Sequence, residues 1–164
     1  MVFAAAAAGI AYMRQQQKAQ DIADNSAVQT AVMQFGTVMQ KVSLSAPDAL
    51  QEIASNYAPY ASSSVIKIWQ ANRAFAPGRG LSSPWPSSIS ITGTSKNSDG
   101  TYAVEGQVIE ITSNEVAHGG IAAEFPVTLT LAKYRGTWLI ASYQAGPTSV
   151  FASATTTATT SVAH

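Results

Sequence analysis

The clearest pattern in the chain is an alternation in its second half. Phe125, Val127, Leu129 and Leu131 alternate with Pro126, Thr128, Thr130 and Ala132. One face of this segment is apolar and the other is small or polar, as in a half-buried strand. A short Arg135-Gly136 turn leads on to Trp138, Leu139 and Ile140. The pattern predicts four strands in a meander: Ser88–Thr92, Tyr102–Thr112, Glu124–Lys133 and Thr137–Tyr143. Asn97-Ser98-Asp99-Gly100 is a hairpin signal between the first two. Gly106 predicts a bulge or bend in the second strand, because Val104 and Val108 share one phase while Ile109 and Ile111 take the other.

Upstream the period changes to that of a helix. Val28, Val32, Phe35, Met39 and Val42 form one stripe, so Asp21–Val42 reads as an amphipathic helix whose apolar face covers the sheet. A long coiled coil fails, because the same register meets Asn25, Asp21 and Lys18. Ser43 or Ser45 marks a break, and Pro47 suits the first turn of a second helix that ends near Tyr57-Ala58-Pro59-Tyr60. Asp48 and Glu52 favour the start of that helix through its dipole. Ser62–Ser64 caps a short third helix through Val65, Ile66, Ile68 and Trp69. Ala76–Gly80 is a loop by its turn residues, and Pro84 and Pro86 hold Trp85 in a stiff, extended approach to the first strand. Ser113–Gly120 is the next connection, with His118-Gly119-Gly120 at its tip.

The two ends differ from this middle. Met1–Met13 is apolar, too short to span a bilayer (about 20 residues), and without the basic start of a signal peptide. Three readings stay open: the end of a membrane anchor that begins upstream, an atypical signal sequence, or an Ala-rich helix start. The polar run Gln15–Gln20 favours the first, as a stem after an anchor. Thr148–His164 is Ala, Ser and Thr with little apolar bulk and reads as a disordered tail. The expected organisation is therefore 1–20 anchor remnant and stem, 21–147 an α+β domain, and 148–164 tail.

Composition narrows the function classes. Hydrophobic residues make up 46% and charged residues 11%, the latter well below the about 25% of a typical domain. Nine basic side chains balance nine acidic ones, with no basic stripe for nucleic acid. The absence of Cys removes disulfides, thiolate metal sites and a Cys nucleophile. His118 has only Glu115 near it in sequence, so a solvated turn is expected rather than a metal site. No Gly-x-Ser-x-Gly elbow and no phosphate loop is present. No cofactor is expected.

Helix, helix, short helix and curved antiparallel meander is a layout that resembles the nuclear-transport-factor-2-like superfamily of cone-shaped, cystatin-like α+β domains. At the residue level, Leu81-Ser82-Ser83-Pro84-Trp85-Pro86, Tyr102 to Ser113, Phe125 to Leu131 and Gly136 to Ile140 resemble a group of bacterial anchored or exported proteins of this fold. The resemblance covers Asp21 to Tyr143. It implies a fold and an extracytoplasmic habit, and it implies no reaction. Relatives include isomerases, dehydratases, ligand binders and accessory domains of secretion and conjugation machines.

Two expectations follow. The first is a non-catalytic accessory domain, membrane-anchored on the extracytoplasmic face or exported, that docks protein partners or itself and belongs by fold analogy to a secretion or conjugation assembly. The second is a binder of a small apolar ligand, or an isomerase-like or dehydratase-like enzyme, with a pocket around Trp69, Trp85, Tyr102 and Trp138. An enzyme of that kind needs a carboxylate inside the cone and a hydroxyl donor. Glu105 and Glu110 are the weak candidates, with Tyr57, Tyr60 and Tyr102 as donors, against a plainer role pairing with Lys133 or Arg135 across the sheet. An open apolar cavity with an inward carboxylate favours the second expectation. A filled cone with both carboxylates outward favours the first.

Overall fold

A computed structural model describes residues 3–147 and 149–150. The fold is α+β: a long N-terminal helix lies on an antiparallel sheet whose main strands run in the predicted meander order. The helices are α1 (Phe3–Val38), α2 (Ala49–Tyr57), α3 (Ser63–Ala71) and α4 (Ser113–His118). The strands are β1 (Trp85–Lys96), β2 (Tyr102–Ile111), β3 (Ala123–Tyr134), β4 (Thr137–Ala145) and β5 (Ser149–Val150). No helix among the described residues is long and apolar enough to cross a membrane.

The stripe on α1 does what its spacing predicts. Val28, Val32, Phe35 and Val38 are buried, and a short 3-10 helix, Met39–Lys41, carries the buried face on to Met39 and Val42. The helix itself starts earlier than the stripe. It runs unbroken through the stem, and residues 12–20 are all exposed. Two ion pairs fasten α1 to the hairpin ends of the sheet: Lys96 to Asp21 at 2.6 Å and Lys133 to Asp24 at 2.8 Å. The ammonium partners hold both aspartates below the usual carboxylate range.

Ser62 caps α3 as expected: it is extended and accepts from the Val65 amide at 3.5 Å. Pro47 lies before α2 rather than in its first turn, because the helix begins at Ala49 with Asp48 at its N-cap. Glu52 has a further partner, since its carboxylate accepts from the Ser43 amide at 2.7 Å and ties the preceding break to α2.

The second strand corrects the expected change of phase. Tyr102, Val104, Gly106 and Val108 are all buried, so β2 keeps one face inward. The irregularities lie on its neighbour, where β1 shifts register between Pro86 and Ser88 and between Ile91 and Gly93. Gly106 serves close approach: a Cβ there would meet the Ser90 carbonyl oxygen at 2.7 Å. Gly36 does the same for α1, because a Cβ would lie 2.6 Å from the Ile89 amide nitrogen of β1.

The connection after β2 contains α4 where only a loop is expected. Thr112 and Glu115 form a capping box, with Thr112 accepting from the Asn114 amide and Glu115 accepting from the Thr112 amide at 2.8 Å. The expected tail lies outside the described residues except for Ser149 and Val150. These pair with Glu124 and Ala123, continuing the sheet edge past the end of β4.

Two outcomes test this packing. Gly36→Ala is expected to destabilise the domain by about 1–3 kcal/mol in urea unfolding, as overpacking does. Gly80→Ala, where nothing lies within 4 Å, is expected to be near neutral. In the capping box, hydrogen bonds from Thr112 and Asn114 lower the Glu115 carboxyl from 4.5 to about 2. Its contribution to α4 is therefore complete above about pH 4.5 and lost as pH falls toward 2. A side-chain NMR titration of Glu115 is expected to show this low midpoint, and Thr112→Ala to move it back up; an ordinary midpoint in the wild type would refute the box.

Candidate functional site

The inner face of the sheet carries two aromatic groupings, one toward each end of its strands. Near the hairpin turns Tyr102 and Trp138 meet edge to face with ring centroids 5.1 Å apart. Lys133 lies over the Trp138 ring at 5.3 Å. Trp138 is buried, and its Nε1 has no partner at hydrogen-bonding distance.

At the other end lies a cavity of about 620 Å³ between α3, the loop through Ala74–Gly78, and the ends of β3 and β4. This is within the range of small-molecule sites, about 300–1,000 Å³. Trp69, Phe75, Pro77, Phe125 and Tyr143 supply most of its aromatic and apolar wall. Ile68 and Phe75 stand at the rim, 56% and 62% exposed.

Local structure explains each wall. The cap at Ser62 sets the rotation of α3, so Val65 and Trp69 point inward and Lys67 outward. Trp69 packs on an aromatic cluster: Phe35 at 6.1 Å, Tyr57 at 5.3 Å and Tyr143 at 6.1 Å. Such pairs each add about 0.5–1.5 kcal/mol beyond burial. Tyr57 donates to the Pro77 carbonyl at 2.6 Å and so pins the loop that forms the outer wall. On the sheet side, β4 carries an extra residue between Ile140 and Ser142, since these pair with the adjacent Leu131 and Thr130. Beyond this bulge Tyr143 pairs with the buried Leu129 and turns inward.

The sequence-derived site residues separate in space. Trp69 lines the cavity. Tyr102 and Trp138 sit together near the hairpin turns. Trp85 begins β1, half-buried, opposite Ile111 and outside the cavity lining. Of the hydroxyl donors, Tyr57 is buried and committed to Pro77, and Tyr60 packs half-buried against Phe35 at 6.4 Å. Phe75, Phe125 and Tyr143 complete the wall without having been singled out in the sequence.

The two carboxylates also part. Glu105 is exposed on the outer face. Glu110 pairs with the buried Pro86 and Ala123, on the inner face that also carries Val108 and Phe125. It is half-buried, and desolvation raises its carboxyl above the ordinary value. Burial first, and then the Glu110 charge, push the Tyr143 phenol upward. Among the described residues neither glutamate joins an ion pair, and Lys133 is engaged with Asp24. Among them, no three His, Asp or Glu side chains gather as a metal site, and His118 Nδ1 lies 3.1 Å from the Asn114 carbonyl.

Comparison with known proteins finds no matching family model, no matching curated relative and no matching solved structure.

Proposed function

We propose that this chain is a small-ligand-binding accessory domain carried on a helical stem, with a sheet curved into a nuclear-transport-factor-2-like cone. The observation that carries the reading is the open, aromatic-walled cavity of about 620 Å³. The bulges of β1 and β4 support the curvature, because a bulge bends the strand that carries it. The exposed polar stem at Gln15–Gln20 supports a tether on the extracytoplasmic side of a membrane. The ligand fills the cavity with a mainly apolar body, and binding is the role, because the lining is aromatic and aliphatic apart from Ser142, Gln144 and the Tyr143 phenol.

The full chain is expected to bind one equivalent of N-phenyl-1-naphthylamine, an uncharged fluorescent probe, with enhanced emission. Ala145→Trp, which fills the cavity from β4, is expected to abolish binding while the unfolding temperature holds. A wild-type protein that leaves the probe dark would sink the pocket reading, and a chain recovered wholly in the cytosolic fraction would sink the tether.

A second reading, a docking module that pairs through the outer sheet face, is favoured by one observation. Across β2–β4 that face carries Glu105 and Glu124 among Ala103, Gln107, Ile109, Thr128 and Leu139, so two copies could approach with little charge to desolvate. Light scattering of the full chain is expected to give a dimer on this reading, and a monomer at high concentration would count against it.

A further inference from the structure

One edge of the sheet is only partly covered. β4 ends the strand order and has β3 on one side alone. In an antiparallel ladder the residues alternate, one pointing its N–H and C=O at the neighbouring strand and the next pointing them away. The Gly146 amide donates to the Pro126 carbonyl at 2.8 Å, which sets the phase. Followed back through the register, Gln144 and Ser142 bond to Thr128 and Thr130, whereas Ala145 and Tyr143 turn their main-chain groups outward. Past the bulge Ile140 also turns outward, and it is answered. Its amide donates to the Tyr60 carbonyl at 2.8 Å, and its carbonyl accepts from the Ser62 amide at 2.9 Å. The chain then leaves this edge, because α3 begins at Ser63. Among the described residues no further main-chain group answers Tyr143 or Ala145.

The bare stretch is a wall of the cavity. Tyr143 and Ala145 line it together with α3 and the Ala74–Gly78 loop. Sheets commonly blunt a free edge with charge or Pro, and Ala141–Ala145 has neither. The lining contains no Asp, Glu, Lys, Arg or His, so it favours an uncharged occupant. A compact small molecule leaves the outward N–H and C=O groups without partners, which is costly once it displaces their water. An added strand satisfies those groups and sends every second side chain to one face. On the inner face Trp69, Phe75, Phe125 and Tyr143 form a wall for an aromatic or aliphatic group. Resting on the pocket reading above, we propose that the ligand is an extended, uncharged peptide segment of a partner protein. It continues along β4 the line that Tyr60–Ser62 begins, with its main chain on Tyr143 and Ala145 and an apolar side chain in the cavity.

The test uses the full chain and a blocked peptide, acetyl-Val-Thr-Phe-Thr-Val-amide, whose apolar residues alternate. The peptide is expected to displace N-phenyl-1-naphthylamine. By NMR it is expected to slow hydrogen exchange of the Tyr143 and Ala145 amides at least about tenfold. The Ser142 and Gln144 amides, already bonded to β3, are expected to be slow with or without it. N-methylation of the peptide's Phe amide, or instead of the Thr amide after it, is expected to weaken binding in one case and spare it in the other, since successive amides point to opposite edges of a strand. Displacement of the dye without slowed exchange overturns the inference, and so does equal tolerance of both methyl groups. Slow exchange of both outward amides before peptide is added also overturns it, with a second copy as the occupant if dilution releases them. A dye that binds and is not displaced removes this inference alone. A dye that never binds removes the pocket reading along with it.

Discussion

The structure depends on how closely α1 can approach β1. At Gly36 the helix backbone rests against the Ile89 amide with no room for a side chain. The preceding residue, Phe35, is thereby driven to the centre of the aromatic cluster, 5.1 Å from Tyr57 and 6.2 Å from Tyr143. One turn of helix thus sets the spacing of helix and sheet and also positions the residues that shape the cavity. The opposite glycine, Gly106, performs the same service between β1 and β2. Two missing side chains, one in each layer, bring three elements to a common centre.

The cavity follows from what covers the sheet and what does not. The buried stripe of α1 runs from Val28 to Val38 and the 3-10 helix extends it to Val42. Beyond it α2 and α3 must complete the cover, and α3 meets the sheet near Ile140 through the bridge at Ala61. The remaining end of the sheet is roofed only by a loop held through Tyr57 and Pro77. A loop cannot fill space as densely as a helix stripe, so the aromatic side chains beneath it face a void rather than a neighbour.

Much of this architecture is legible in the sequence, for identifiable reasons. The β3 alternation reads directly because every inward residue is apolar and every outward one is small or polar. Ser62 reads as a cap because a hydroxyl stands immediately before an apolar helical run. The phase of β2 is harder, because Ile109 and Ile111 are half-buried on the outer face and imitate an inward set. The bulges that resolve the conflict belong to β1, where Ser and Thr residues give no apolar phase to follow. The α4 helix has its signal in Thr112 and Glu115, but Val116 is exposed and no stripe supports it. Among the site residues, Trp69 is placed by its helix, whereas Trp138 and Tyr143 differ only by register and by one extra residue in β4. A chain pattern reports which face an aromatic takes far better than which end of the sheet it occupies.

The unbroken helix from stem to core has a mechanical meaning. Its 36 residues form a rod of about 54 Å at the usual rise per residue. No glycine or proline hinge separates the exposed turns from Gly36 and Phe35. A load applied near Tyr12 therefore meets no hinge on its way to the core. The ion pairs at Asp21 and Asp24 tie the rod to the sheet before it reaches the aromatic cluster, so the load is shared between the hairpin ends and the core.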